Sequence, residues 1–335
     1  MSGPLDRPAL PALPRRAFLQ ALGALGVAGG ALGGLALGPS PAWGKTATKV
    51  QGVERSGLGV TLRLSLKNAP FPCEGAPYDD PTVMVFVPAY YRAEGDEVDA
   101  VVHFHGHGTT ADRALAVHRL REQLHDSRQN AILVVPQGPV NAGDSHAGKL
   151  EKQGGLRKLL AEAAVTLASP KARAALGTSA TPAKPRLGLV CLSAHSGGYK
   201  AAASCLRRAG CEVGEVYLFD ALYGEVEAFR AWVTAAKGRG GRERHKLVSV
   251  STGGDVRRLN LELERDLEKA GVRCLHERKP GELTRKELRG GRAIFLDAPA
   301  AHTEVMHAHG AFRDCLLASG LRRYLKADWP GRRDG

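Results

Sequence analysis

The 335-residue chain is 43% hydrophobic and 24% charged, an ordinary globular composition that excludes disordered and fibrous classes. Its 41 glycines show no three-residue period, which excludes collagen. The formal charge of +13 comes with only 5% aromatic residues and scattered Lys and Arg, so no nucleic-acid partner is expected; the charge implies solubility and a mild attraction to anionic polymers.

At the N-terminus, Pro14-Arg15-Arg16-Ala17-Phe18-Leu19-Gln20 precedes an uncharged run over residues 21–44, rich in Ala, Leu and Gly. An Arg pair, a large apolar residue and then a weakly apolar stretch resemble a twin-arginine export signal. Pro14 and Gln20 depart from that pattern, which usually has Ser or Thr and often Lys at these places. Seven glycines within residues 21–38 keep the stretch less apolar than a stop-transfer helix, and Ala42-Trp43-Gly44 offers a signal peptidase small residues. A membrane anchor is the competing reading, because a run of this length can span a bilayer. The resemblance implies that residues 1–44 are removed. Three Arg and one Asp leave with them, so residues 45–335 carry +11 into the periplasm or the medium, with no membrane span of their own.

Beyond residue 44, segments 60–66 and 82–87 alternate with period two and predict an antiparallel pair, joined through 68–81. Six apolar runs follow, at 100–104, 131–135, 187–192, 215–219, 246–251 and 292–296. Short continuous apolar runs separated by helix-length segments indicate a parallel sheet buried on both faces. Helices are expected at 112–126, 155–168, 197–209, 225–237, 259–270 and 304–324. An antiparallel start followed by repeated strand and helix gives an α/β fold: one doubly wound domain, a mostly parallel eight-stranded sheet with helices on both faces. Segments 169–185 and 238–244 read as loops. The six cysteines form no C-x-x-C pair and no zinc spacing.

Leu192-Ser193-Ala194-His195-Ser196-Gly197-Gly198-Tyr199 lies where a buried strand meets a helix. A nucleophile on so tight a turn needs small residues two positions either side, and Ala194 and Gly198 supply them around Ser196. This stretch resembles the G-x-S-x-G nucleophile elbow of the α/β-hydrolase superfamily, with Ala194 in place of the first Gly. Upstream, His103-Phe104-His105-Gly106-His107-Gly108 ends the third strand and resembles that superfamily's oxyanion loop. The resemblance implies oxyanion donors at the amide of His107 or Gly108 and at that of Gly197. A rival reading takes His103, His105, His107 and Asp112 as metal ligands, similar to the H-x-H-x-D-H pattern of metallo-β-lactamases. Here a third His occupies the place where that pattern has Asp.

The resemblance implies a general base after the last strand, and His302 stands there in Ala300-Ala301-His302-Thr303; His307 and His309 fall within the expected helix. Two carboxylates fit the chain order of nucleophile, acid and base. Asp220 ends the strand 215–219, and Asp255 follows the strand 246–251, where it also suits a helix start. His105, Tyr199 and Tyr223, with the loop 136–148, are candidate pocket walls, because ligands of open α/β sheets bind at the carboxyl ends of the strands.

The resemblance therefore implies an exported serine hydrolase acting through an acyl-enzyme on Ser196, with no cofactor. Its expected substrate is a small-molecule ester, or a peptide-like amide if it is a cell-wall peptidase or amidase. A hydrolase fold without a working triad, acting as a binding module, and a His-cluster metallohydrolase are the alternatives.

Overall fold

A computed structural model describes residues 47–236 and 244–335. The export-signal reading of residues 1–44 and most of the basic segment 238–244 lie outside the described residues.

Ten strands form among the described residues: β1 (Lys49–Ser56), β2 (Gly59–Ser65), β3 (Thr82–Pro88), β4 (Glu97–Phe104), β5 (Ala131–Pro136), β6 (Arg186–His195), β7 (Glu215–Phe219), β8 (Lys246–Ser251), β9 (Cys274–Glu277) and β10 (Ala293–Asp297). They make one sheet in the order β1-β2-β3-β5-β4-β6-β7-β8-β10-β9. The pairings β1–β2, β2–β3 and β3–β5 are antiparallel, and every pairing from β5 to β9 is parallel. Each of the two alternating segments and six apolar runs becomes a strand. The two strands without such a run are the edges, where one face or both meet solvent: seven of the eight residues of β1 are at least partly exposed, and β9 is only four residues long.

The helices are α1 (Ala111–Val117), α2 (Leu120–Ser127), α3 (Gly155–Leu167), α4 (Pro170–Leu176), α5 (Tyr199–Arg208), α6 (Val226–Thr234), α7 (Gly254–Lys269), α8 (Arg285–Gly290) and α9 (Ala311–Leu317). Helices α3 to α7 close one face of the sheet around a core that includes Leu159, Ala202, Phe229 and Leu263. Helices α1, α2, α8 and α9 close the other around Leu115, Leu124, Leu288 and Phe312. Burying each such Leu or Phe contributes about 1.5–3 kcal/mol. Helices on both faces of a mostly parallel sheet are the doubly wound α/β arrangement expected, with ten strands in place of eight.

Three expectations are corrected. The helix expected over 112–126 is broken into α1 and α2 because Arg119 adopts φ 50°. The helix expected over 304–324 shrinks to α9, since His309 and Gly310 stand at φ 54° and 70° just before it. The segment 169–185 is not all loop: Ser169 caps α4 by accepting the Ala172 N–H, and Pro170 opens the helix with the fixed φ that suits a first turn.

Strand order reverses around β4, whose neighbours β5 and β6 lie on opposite sides. A crevice opens at the carboxyl ends of strands where an open α/β sheet reverses in this way. The loops after β4, β6, β7 and β10 all leave from that end.

Candidate active site

At the end of β6 the backbone turns sharply. Ser196 has φ 50°, a left-handed conformation that costs a residue with a side chain about 1–3 kcal/mol. The Ser196–Gly198 turn leads directly into α5. That close passage depends on Gly198, where a Cβ would lie 2.3 Å from the Phe104 carbonyl oxygen. The loop after β4 presses in from the other side: a Cβ on Gly106 would lie 2.9 Å from Ser196 Cβ. The His107 ring covers Gly197, whose added Cβ would come within 2.2 Å of it.

Asp220, at the end of β7, is 3% exposed and also left-handed at φ 45°. It accepts hydrogen bonds from the Thr252 amide at 3.0 Å, from the Thr252 hydroxyl at 2.8 Å and from His302 Nδ1 at 2.6 Å. Burial alone raises a carboxyl's pKa, but the donors from His302 and Thr252 outweigh it and hold Asp220 below the ordinary carboxylate range. A carboxylate accepting from Nδ1 leaves Nε2 of a neutral imidazole bare, ready to accept a proton. His302 itself sits on the loop after β10 with its side chain 39% exposed. Its carbonyl accepts a bond from His195 Nε2 at 2.9 Å, and its ring meets that of Tyr223 edge-on at 6.3 Å. Tyr199 stands a further 6.3 Å from Tyr223. No hydrogen bond among the described residues joins Ser196 Oγ to His302; such bonds are often long in free enzymes and tighten with substrate.

Asp255 is corrected as a candidate acid. It lies in the first turn of α7 with its side chain 79% exposed, paired with Arg258 at 3.5 Å, while Asp220 holds His302 Nδ1. Gly108 is corrected as an oxyanion donor, because its N–H is committed to the Ala142 carbonyl at 2.8 Å. The amides of His107 and Gly197 remain.

The three alternating histidines do not converge. His103 is fully buried with Nδ1 3.0 Å from Ser193 Oγ. His105 bonds the Gly106 carbonyl through Nδ1 and takes the Gly138 N–H at Nε2, both at 2.8 Å. His107 reaches Ser145 Oγ at 2.7 Å, and Asp112 pairs with Arg63. Desolvation pushes His103 and His105 below the usual imidazole range, so both are neutral, His103 within β4 and His105 in the packed loop after it. No group of three His, Cys, Asp or Glu among the described residues is arranged to hold a metal.

Beside the elbow, His105, Phe71, Phe104, His146, Leu150 and Gly197 line a cavity of about 30 Å³. A larger apolar cavity of about 70 Å³ under α9 reaches the loop at 298–300 but none of Ser196, Asp220 and His302. Sequence reasoning missed Thr252, Gly106 and His195 as parts of the site. Thr252 is the first residue after a strand adjoining β7, and His195 lies inside the elbow motif itself, so both had positional signals.

Neither a family model nor a curated protein matches the chain. Among solved structures it is similar to a ferulic acid esterase (13% identity, 70% of this chain and 90% of that chain, TM-score 0.42). It is also similar to FphF, a fluorophosphonate-binding serine hydrolase of Staphylococcus aureus (10% identity, 77% and 97%, TM-score 0.44). A third is the feruloyl esterase module from Clostridium thermocellum (12% identity, 87% and 94%, TM-score 0.45).

Proposed function

We propose that this chain is an exported serine hydrolase that cleaves an ester of a small molecule through an acyl-enzyme on Ser196. The observation that carries this reading is the 2.6 Å bond from His302 Nδ1 to the buried Asp220, beside a serine held at φ 50° on a strand-to-helix turn. Ser196 Oγ attacks the carbonyl carbon while His302 Nε2 takes its proton. The negative oxygen that forms is held by the amides of Gly197 and His107, each such donor being worth roughly 3–4 kcal/mol of barrier. His302 then returns the proton to the leaving alcohol as the ester C–O bond breaks. Water attacks the acyl-enzyme by the same route, His302 passes the water's proton to Ser196 Oγ, and the acid departs. Asp220, ionised throughout, fixes the imidazole tautomer and stabilises the imidazolium. Export by the twin-arginine route rests on Arg15, Arg16 and the weakly apolar run that follows them.

The test is labelling of the protein with a fluorophosphonate probe beside a Ser196→Ala control. Labelling that vanishes in the control supports an activated serine. A folded wild type that stays unlabelled counts against the triad and favours the binding module.

A further inference from the structure

We propose that His195 is a positioning residue that holds the His302 loop in register with Ser196, an inference that rests on the triad reading above. His195 is 7% exposed and ends β6, one residue before the nucleophile. Its Nε2 lies 2.9 Å from the His302 carbonyl oxygen, which only accepts, so Nε2 carries the hydrogen and donates. The His195 ring also packs against the His302 ring, with centroids 4.8 Å apart. On the other side His118 backs it at 4.5 Å, and His103 backs His118 at 6.2 Å. A Cβ on Gly106 would come 3.3 Å from His195 Nδ1, so the loop after β4 closes the remaining side. Burial holds His195 down at about 4, against the bond to the His302 carbonyl, so the ring is a neutral donor in ordinary buffers.

The geometry assigns a definite task. His302 reaches Asp220 through its side chain, and the preceding backbone tie of its loop to the sheet, from the Ala298 amide to the Ser251 carbonyl at 2.8 Å, lies four residues earlier. His195 ties the backbone of that loop to the same strand end that carries Ser196. One rigid turn thus presents the nucleophile and fixes the base that serves it. The bond requires a donor at the distance of Nε2 from the backbone; a Gln side chain places its amide nitrogen there, whereas Asn is one bond too short and Met cannot donate.

The experiment compares the full chain with His195→Gln, His195→Asn, His195→Met and Ser196→Ala, measuring kcat and KM on p-nitrophenyl acetate and the thermal midpoint. The Met and Asn variants are expected to lose on the order of a hundredfold in kcat with KM changed by less than about twofold, the scale of a small misplacement of a catalytic group. The Gln variant should recover to within about threefold of wild type, although its midpoint falls as far as theirs. Equal loss in Gln, Asn and Met would reduce His195 to packing and overturn the proposal. So would wild-type kcat in Asn or Met while Ser196→Ala is inactive. Full activity in Ser196→Ala would instead overturn the triad reading beneath it. Should Met fail to fold, the Gln and Asn pair alone decides the matter.

Discussion

The two ends of the sheet both bury charge, and they use it differently. At the amino-terminal end, Lys246 is fully buried and donates from Nζ to the Leu288 and Ala318 carbonyls, each at 2.7 Å. Its in-register neighbour Glu215, 1% exposed, accepts from the Tyr217 hydroxyl at 2.7 Å and from the Gly320 amide at 2.6 Å. Asp99 takes the Leu189 amide and the Arg322 guanidinium. Those groups tie α8 and the segment after α9 to the sheet, and their partners are protein groups at fixed positions. At the carboxyl end, Asp220 is as buried, but its chain of partners runs outward to a half-exposed imidazole beside a strained serine. Burial of charge alone does not mark a site; a buried charge whose partner retains an open valence toward solvent does.

The sharpest way to break this contrast is at the two carboxylates. Asp220→Asn is expected to lower kcat by roughly 10⁴-fold with the fold intact, as loss of the orienting acid permits the wrong imidazole tautomer. Asp255→Asn should leave kcat within about twofold, since an exposed ion pair contributes little. Similar losses in steady-state kinetics of the two variants would return the acid to an open question. At the opposite end, Lys246→Met should leave kcat alone and cost about 3–5 kcal/mol in denaturant unfolding by leaving Glu215 uncompensated. Burial depresses Lys246 from 10.5 to about 8, with Glu215 opposing. The folded state therefore sheds this proton before the unfolded state does. The unfolded state binds more protons between pH about 8 and 10.5, so stability relative to the Met variant rises with pH across that window. A difference that falls there would show the ammonium to be favoured by its site.

The contrast also explains what was legible from sequence. Central strands were readable because burial on both faces writes an unbroken apolar run, whereas β1 and β9 lie at edges and carry no such signature. Ser196 and Asp220 were readable as candidates because each is a reactive residue immediately after a central strand, and His302 because it stands on the loop that follows β10. Choosing Asp220 over Asp255 was not, for both follow adjacent strands. What separates them is Thr252, whose amide and hydroxyl turn toward Asp220 rather than toward its own helix, a three-dimensional fact with no local pattern. The Gly108 amide fails for a similar reason: its partner, the Ala142 carbonyl, is 34 residues away in a loop without periodicity. Single left-handed residues such as Arg119 and His309 broke the expected helices, and neither is Gly or Pro.

Smaller effects separate the two glycines of the elbow. A Cβ on Gly198 meets the backbone of β4, which cannot yield, so Gly198→Ala should destabilise by about 1–3 kcal/mol as an overpacked core does and reduce activity with it. A Cβ on Gly197 meets the ring of His107, whose side chain is exposed and can swing away. Gly197→Ala should therefore move the thermal midpoint less than Gly198→Ala. The reverse order would place backbone, not the ring, against Gly197.

The mildest expected effect tests what His107 contributes. If its amide is the oxyanion donor, His107→Ala keeps that donor and loses only the bond to Ser145 and the cover over Gly197. The expected drop in kcat/KM is then less than about fivefold, far below the roughly 10²–10³-fold that follows removal of an oxyanion donor. A hundredfold drop would move the role from the backbone to the imidazole, making the carboxyl end of this sheet hold its oxyanion with a titratable side chain. In that case Ser145→Ala, which frees the ring without removing it, should lower kcat/KM as well, because the 2.7 Å bond to Ser145 Oγ orients Nε2.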